Sequence, residues 1–417
     1  MKKTEKADSD SRKNIFALGL ASFFTDISSE MVFSLLPTFL LSLPGSSITI
    51  LGLIEGIAEA LSYALRAISG IFSDKLRKRK PIIFIGYAVS NAFKPLFALA
   101  TGPIDVFLIR IADRVGKAIR TSPRDALLSE SVSEKRRGAA FGLHRTLDQL
   151  GAIVGPIFAS AALFVLGLTV RNIFWLSLLP GALALLIMIF FVKERISKAD
   201  EKFQFLAGVR KVLQGDFSRL LVIVGIFSLG AFNFSFVLLN ASQAGIADSL
   251  IPLVYAVVNV AHAAIAIPAG ILADSAGKEK VMVLGYSTFL LSAILIIFLP
   301  SNGFSALLVA VSFGVYFGIV ETVQRALVPA YCDSSLRGTA YGIYYLTVGS
   351  AFFVSNFVVG SLWEHFGGSA ASIYSIATTM VAIVCMMIFL KKRKSKSNIA
   401  LRCKTEAEFR QDSCKYN

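Results

Sequence analysis

Apolar runs long enough to cross a bilayer, about 20 residues each, recur about twelve times along this 417-residue chain. They lie near 15–41, 47–71, 81–101, 103–122, 138–165, 172–192, 218–240, 249–272, 281–300, 304–330, 338–363 and 369–390. In hydrocarbon every backbone N–H and C=O must find a partner within its own segment or a closed barrel, and runs of this length do so as helices. The expected fold class is therefore an all-α polytopic membrane protein with twelve transmembrane helices. A mean hydropathy of +0.68 and a charged fraction of 17%, against about 25% in soluble domains, agree with it.

Composition also removes other classes. Net charge is +15, but binding nucleic acid needs a soluble domain with a basic face, and no such stretch exists. The apolar content, with 34 Phe, excludes disorder. Four cysteines (Cys332, Cys385, Cys403, Cys414) form no CxxC pair and have no nearby histidine, so neither a disulfide scaffold nor a metal site is expected. There is no G-x-S-x-G, no G-K-[ST] phosphate loop and no HExxH, so the sequence points to no enzyme and no cofactor.

The basic residues set orientation. Five precede the first run, five lie between Lys75 and Lys80, seven fall in 193–219 and nine follow from Lys391 to Lys415. The connections 42–46 and 301–303 carry none, and Arg171 is the exception. The positive-inside rule then puts both termini in the cytoplasm and requires an even number of helices. The first run is too long for a signal-peptide core and is read as a retained helix. The expected location is the cytoplasmic membrane.

Self-comparison reveals a duplication. Gly70-Ile71-Phe72-Ser73-Asp74 returns as Gly270-Ile271-Leu272-Ala273-Asp274, and Arg137 to Gly142 returns as Arg337 to Gly342. Ala126-Leu127 reappears as Ala326-Leu327 in the same register. Two six-helix halves that run the same way through the membrane follow, a parallel repeat. The expected organisation is 1–192 for the first half with its tail, 193–217 for a cytoplasmic linker, 218–390 for the second half and 391–417 for a basic tail. In the linker, Phe203, Leu206, Val209 and Leu213 share one helical face suited to a membrane surface.

G-x-x-x-D followed by a basic cluster, after the second helix and again after the eighth, resembles the major facilitator superfamily. The signature loop G-x-x-x-D-[RK]-x-G-[RK]-[RK] is met by Gly70, Asp74 and Lys75, with Arg77 where the family usually has glycine. The second copy, Gly270 and Asp274, keeps that glycine as Gly277 but has Ser275 at the first basic position. Gly151, Gly155 and Pro156 resemble the fifth-helix element G-x-x-x-G-P associated with proton-coupled exporters. The stretches from Phe23 to Glu30 and from Asp113 to Ala126 are similar to a bacterial drug/proton antiporter-like branch. The resemblance implies alternating access, and a cytoplasmic gate in which Asp74 lies near the Arg337-Gly338 end of the eleventh helix. Arg120 or Arg124 would be its fourth-helix partner.

Intramembrane charge is the remaining clue. The first six helices carry Asp26, Glu30, Glu55, Glu59, Asp113 and Asp148 against Lys94, Arg110, Arg114, Lys117 and Arg145, with His144. Facing lipid, these twelve groups would cost about 30 kcal/mol, so most must face one another or water. Asp26/Glu30 and Glu55/Glu59 are i,i+4 pairs, and Arg110, Asp113, Arg114 and Lys117 form a stripe down the fourth helix. Two readings of that stripe stand: a salt-bridge network that locks packing, or a lining of the transport path. Six carboxylates against five fixed cations leave an acid that low dielectric would favour protonated.

Proton coupling is accordingly assigned to Asp26 and Glu30, then Asp113 and Asp148. Glu55, Glu59, Arg110, Arg114, His144 and Arg145 are candidates for the substrate path. The expected function is proton-coupled efflux of a small molecule by a monomer in the lipid bilayer. A proton symporter of a small anion, with Arg110, Arg114 and Arg145 as ligands, is the alternative, and a non-transporting receptor on the same scaffold the third.

Overall fold

The fold is that of a computed structural model, which describes residues 2–76, 78–131, 137–194, 205–213, 215–332 and 337–413. Within these, the side chains of 2–12, 67, 70–76, 130, 137–139, 205–208, 325, 326, 329, 337, 338 and 394–413 lie outside the description. The described residues are helical throughout, joined by short turns. The helices are α1 (Lys2–Phe33), α2 (Leu36–Leu41), α3 (Ile48–Leu76), α4 (Lys80–Phe93), α5 (Pro103–Glu130), α6 (Arg137–Phe164), α7 (Val170–Leu176) and α8 (Leu178–Phe190). After the short α9 (Phe205–Val212) come α10 (Asp216–Ser228), α11 (Phe234–Gln243), α12 (Ile251–Ala276), α13 (Lys278–Phe298), α14 (Gly303–Leu327) and α15 (Arg337–Ser413).

Twelve crossings result, because several are broken by recognisable chemistry. Pro37 opens α2 after the turn that ends α1. Pro95 tightens the end of α4 into a 3-10 turn, Lys94–Leu99. Asn233 caps α11, its side chain accepting from the Ser235 N–H at 2.9 Å, and so separates α10 from α11 in mid-span. Gly367, at φ 84°, bends α15 into the eleventh and twelfth crossings, a backbone conformation that suits glycine. Nine helices among the described residues are long and apolar enough to cross by hydropathy. The α5 helix falls short through its own charges, α10 and α11 through their break.

Contacts at the helix ends put the two termini on one face of the bundle. Asn14 donates to Ser131 Oγ at 3.0 Å and accepts from the Lys193 N–H at 2.8 Å. Glu194 accepts from the Arg79 N–H at 3.0 Å. In the second half Glu279, Tyr331 and Arg393 meet at that same end.

The halves differ inside. The second half has one continuous apolar core, running from Val212 to Phe389. The first half has two. One, with Leu36, Phe97 and Phe174, sits at the end distal to the termini; the other, with Leu18, Tyr87 and Met188, sits at the termini end. A layer of charged side chains separates them.

The halves meet along α3 with α15 and along α6 with α12. The first seam is backbone against backbone at its distal end. A Cβ on Gly52 would run into the Asn356 carbonyl oxygen, and one on Gly360 would stand 2.8 Å from Ile48 O. Thr49 N–H donates to Glu364 at 2.8 Å, closing the distal tip. At mid-depth Tyr63 stacks on Tyr345 with centroids 5.5 Å apart. The second seam carries Ser160 Oγ donating to Ser249 O at 2.6 Å and Asn259 donating to Ala152 O at 3.1 Å.

Candidate functional site

The charged layer opens onto a cavity of about 240 Å³ between the halves. Its first-half wall is ionic: Asp26 and Glu30 from α1, Glu59 and Arg66 from α3, Arg114 and Lys117 from α5, Arg145 and Asp148 from α6. Its second-half wall is aromatic. Phe227, Phe232, Tyr255, Tyr286, Phe313, Tyr316, Phe317, Tyr344 and Tyr345 face the cavity, with His262, Glu321 and a few amides among them. The rings brace one another, Phe227 on Tyr286 at 3.8 Å and Phe232 on Phe313 at 5.9 Å between centroids.

Most of the charges are already spoken for. Arg110 binds Glu55 at 2.7 Å with both side chains at 1% exposure or less, and its guanidinium lies over Phe33 at 3.9 Å. Asn233, from the other half, donates to the same Glu55 oxygen at 3.4 Å. Asp113 accepts from Ser90 Oγ at 2.6 Å and stands within 4.0 Å of both Arg110 and Arg114. Arg114 reaches Glu59 at 3.4 Å. Lys94, fully buried, donates to Ser29 Oγ at 2.9 Å and Thr25 O at 3.3 Å. Glu55, Arg110, Asp113 and His144 are all buried and are not among the cavity-lining residues.

Across the cavity the halves share one ionic cluster. Arg145 holds Asp148 at 3.5 Å and Glu321 of the second half at 2.5 Å, and Glu321 also meets His262 Nε2 at 3.0 Å. Asp148 further accepts from Ser22. His262 both meets Phe317 edge-on at 4.9 Å and faces the cavity.

Asp26, Glu30 and Lys117 are different. Each lines the cavity, and none has an ion-pair partner within 4 Å among the described residues. Glu30 Oε2 is buried without a hydrogen bond, and Tyr255 turns its hydroxyl towards that carboxyl from the other half. Lys117 is the opposite charge that both acids share, with Arg120 also near Asp26 and Arg114 and Arg110 near Glu30.

The fifth-helix glycines act on this arrangement through packing. A Cβ on Gly151 would strike Phe23 O and come within 3.1 Å of Asp26 Cβ; one on Gly155 would be 2.7 Å from Ile27 O. The pair lets α6 lie directly on α1 where the acids are, with Pro156, the next residue, also buried. Of the gate residues, the side chains of Gly70, Asp74 and Lys75 lie outside the described residues, as do Arg337 and Gly338. Arg120 lies over the Tyr87 ring at 4.5 Å and Arg124 pairs with Asp125 at 3.0 Å. Gly270 and the exposed Asp274 end α12.

The aromatic wall is not evident in the second half read by itself, yet the duplication contains its signal. Two hundred residues on, Asp113, Gly116 and Lys117 become Phe313, Tyr316 and Phe317. Glu55 and Glu59 become Tyr255 and Asn259, and His144 and Arg145 become Tyr344 and Tyr345. Five of the charged or titratable positions of the first half, Glu55, Asp113, Lys117, His144 and Arg145, thus carry rings in the second.

A family model described as Major Facilitator Superfamily matches residues 18–241 and again 220–411. The chain belongs to the major facilitator superfamily. Accordingly it is a multi-pass membrane transporter and not an enzyme. An MFS-type transporter of Methanocaldococcus jannaschii is 33% identical over 370 residues, 87% of this chain and 92% of that protein. Multidrug resistance protein MdtG of Dickeya zeae is 26% identical over 202 residues, 48% of each chain. The crystal structure of the nucleoside transporter NupG superposes with a TM-score of 0.72 at 14% identity, covering 90% of this chain and 98% of that one; that likeness concerns the fold alone.

Proposed function

We propose that this superfamily member is a proton-coupled exporter of a small molecule, with Asp26 and Glu30 as the proton-carrying groups. One observation carries the reading: these two acids line the central cavity without an ion-pair partner among the described residues, whereas Glu59, Asp148 and Glu321 are held by arginines. A carboxyl that keeps no fixed cation can exchange a proton for cargo as the two halves rock. Asp113 and Asp148, bound by several donors, serve as structural acids in this scheme. The similarity to a multidrug resistance protein and the fifth-helix glycines are compatible with export. A gate at Asp74 with Arg120 or Arg124 as partner completes the proposed cycle, with the termini in the cytoplasm.

Import of an anion by the arginines is disfavoured, because Arg110, Arg114 and Arg145 each already hold a carboxylate. The test is a panel of organic cations and anions in proteoliposomes with an acid exterior. An antiporter expels its cargo whichever way it is inserted, and Asp26→Asn abolishes the response; net uptake of any panel member would sink the export reading.

A further inference from the structure

The charges around the cavity divide into two sets. Away from α1, Glu59, Asp148 and Glu321 are balanced by Arg66, Arg114 and Arg145, leaving no net charge. The remaining set is Asp26, Glu30 and Lys117, two acids and one base. Behind Glu30 stand Arg114 and Arg110, each with its own carboxylate; behind Asp26 stand Asp148, held by Arg145, and two buried cations that do not line the cavity, Arg120 over the Tyr87 ring and Lys94 on Ser29 and Thr25. Tyr255 faces Glu30 with its O–H. The trio therefore presents one net negative charge to the cavity when its acids are ionised. Opposite it stands a wall of aromatic faces, which attract cations and stack on flat rings. Tyr286 and Tyr316 add hydroxyls with no hydrogen-bond partner among the described residues.

Resting on the proton-coupled reading above, we infer that Lys117 sets the charge of the cargo, so that the cavity takes a monovalent organic cation bearing an aromatic ring. Lys117 neutralises one of the two α1 acids and leaves the other for the cargo's positive centre, while Phe227, Tyr316 and Phe317 receive the ring. The cavity, about 240 Å³, has room for a small molecule of one or two rings. Removing the ammonium leaves two acids for the cargo, and the site then prefers a dication.

The experiment uses the full chain purified in detergent and four probes: benzyltrimethylammonium, p-xylylenediammonium, tetramethylammonium and benzoate. Affinities come from calorimetric titration in two buffers of different ionisation enthalpy, which also counts protons released on binding. In the unaltered protein benzyltrimethylammonium binds at least tenfold tighter than the dication, tetramethylammonium or benzoate. Lys117→Gln reverses the order of monocation and dication by at least roughly tenfold, as expected for one extra charge met in a medium of reduced dielectric. Lys117→Arg, which keeps the charge, keeps the order and guards against a folding defect in the glutamine variant. Tyr316→Ala weakens benzyltrimethylammonium but leaves tetramethylammonium unchanged. Preference of the unaltered protein for the dication or for benzoate, an unchanged order in Lys117→Gln, or no binding of the aromatic monocation at millimolar concentration each overturns the inference. Monocation binding without proton release would instead refute the proton-coupled reading while leaving the charge selection by Lys117 standing.

Discussion

The Glu55–Arg110 pair allows the two readings of the α5 stripe to be separated. Both side chains are at 1% exposure or less and their closest atoms are 2.7 Å apart, so Glu55→Gln leaves a guanidinium buried without its counter-charge. Breaking one side of such a pair costs about 3–5 kcal/mol. Here Phe33 at 3.9 Å and Asp113 at 4.0 Å remain near Arg110, so the lower end, about 3 kcal/mol, is expected, more than a hundredfold in the unfolding equilibrium. Replacing both residues, Glu55→Met with Arg110→Met, removes the two charges together and should return to within about 1 kcal/mol of the parent. Denaturant titration of the purified protein in detergent measures both. Because the pair lies behind the cavity wall, the double variant should also keep efflux of benzyltrimethylammonium. A double variant as unstable as the single one would refute the pairing argument. A stable double variant without efflux would put the pair in the transport path.

Other consequences are equally direct. Gly360→Ala places a Cβ 2.8 Å from Ile48 O, and relieving that to the usual 3.3 Å or more means parting α3 from α15 by about half an ångström. Raised reactivity of a cysteine introduced at Thr49 towards a membrane-impermeant thiol reagent would show it, and unchanged reactivity would count against the seam. Gly151→Leu should displace α1 and abolish proton release on cargo binding even where the protein still folds, read by the same buffer-dependent calorimetry. Arg145 is 37% exposed, so its bridge to Glu321 should contribute under about 1 kcal/mol in a double-mutant cycle, although exchanging the two charges should preserve transport better than either single change.

Much of the scaffold could be read from the chain alone. Most of the apolar runs end within a few residues of the observed helices, because burial of backbone polar groups in hydrocarbon leaves a helix no alternative; α5 has charges that defeat a hydropathy criterion and runs on to Glu130, eight residues past the run at 103–122. The duplication named both halves. What could not be read was partnership. Glu55 and Glu59 are equivalent by spacing, yet one is sealed against Arg110 and the other borders the cavity beside Arg114. That difference depends on the tilt of α3 against α5, a tertiary property. The aromatic wall escaped for another reason: rings scattered among Leu, Ile and Val carry no periodic contrast, and only alignment of the halves sets Lys117 against Phe317 and Arg145 against Tyr345.

The glycine seam at the distal end makes the second and eleventh helices a lever with its pivot near Gly52 and Gly360. At 1.5 Å per residue, Tyr63 lies about 16 Å from that pivot and the far end of α3 about 36 Å. A tilt of about 10° would then carry Tyr63 roughly 3 Å and the end of α3 roughly 6 Å, while the carbonyls at the pivot hardly move. In the proposed alternating-access cycle, such a tilt would open the cavity from the termini side with a displacement smaller than a side chain at its own depth. The stacked Tyr63 and Tyr345 rings, lying between pivot and mouth, are where that motion must first be felt.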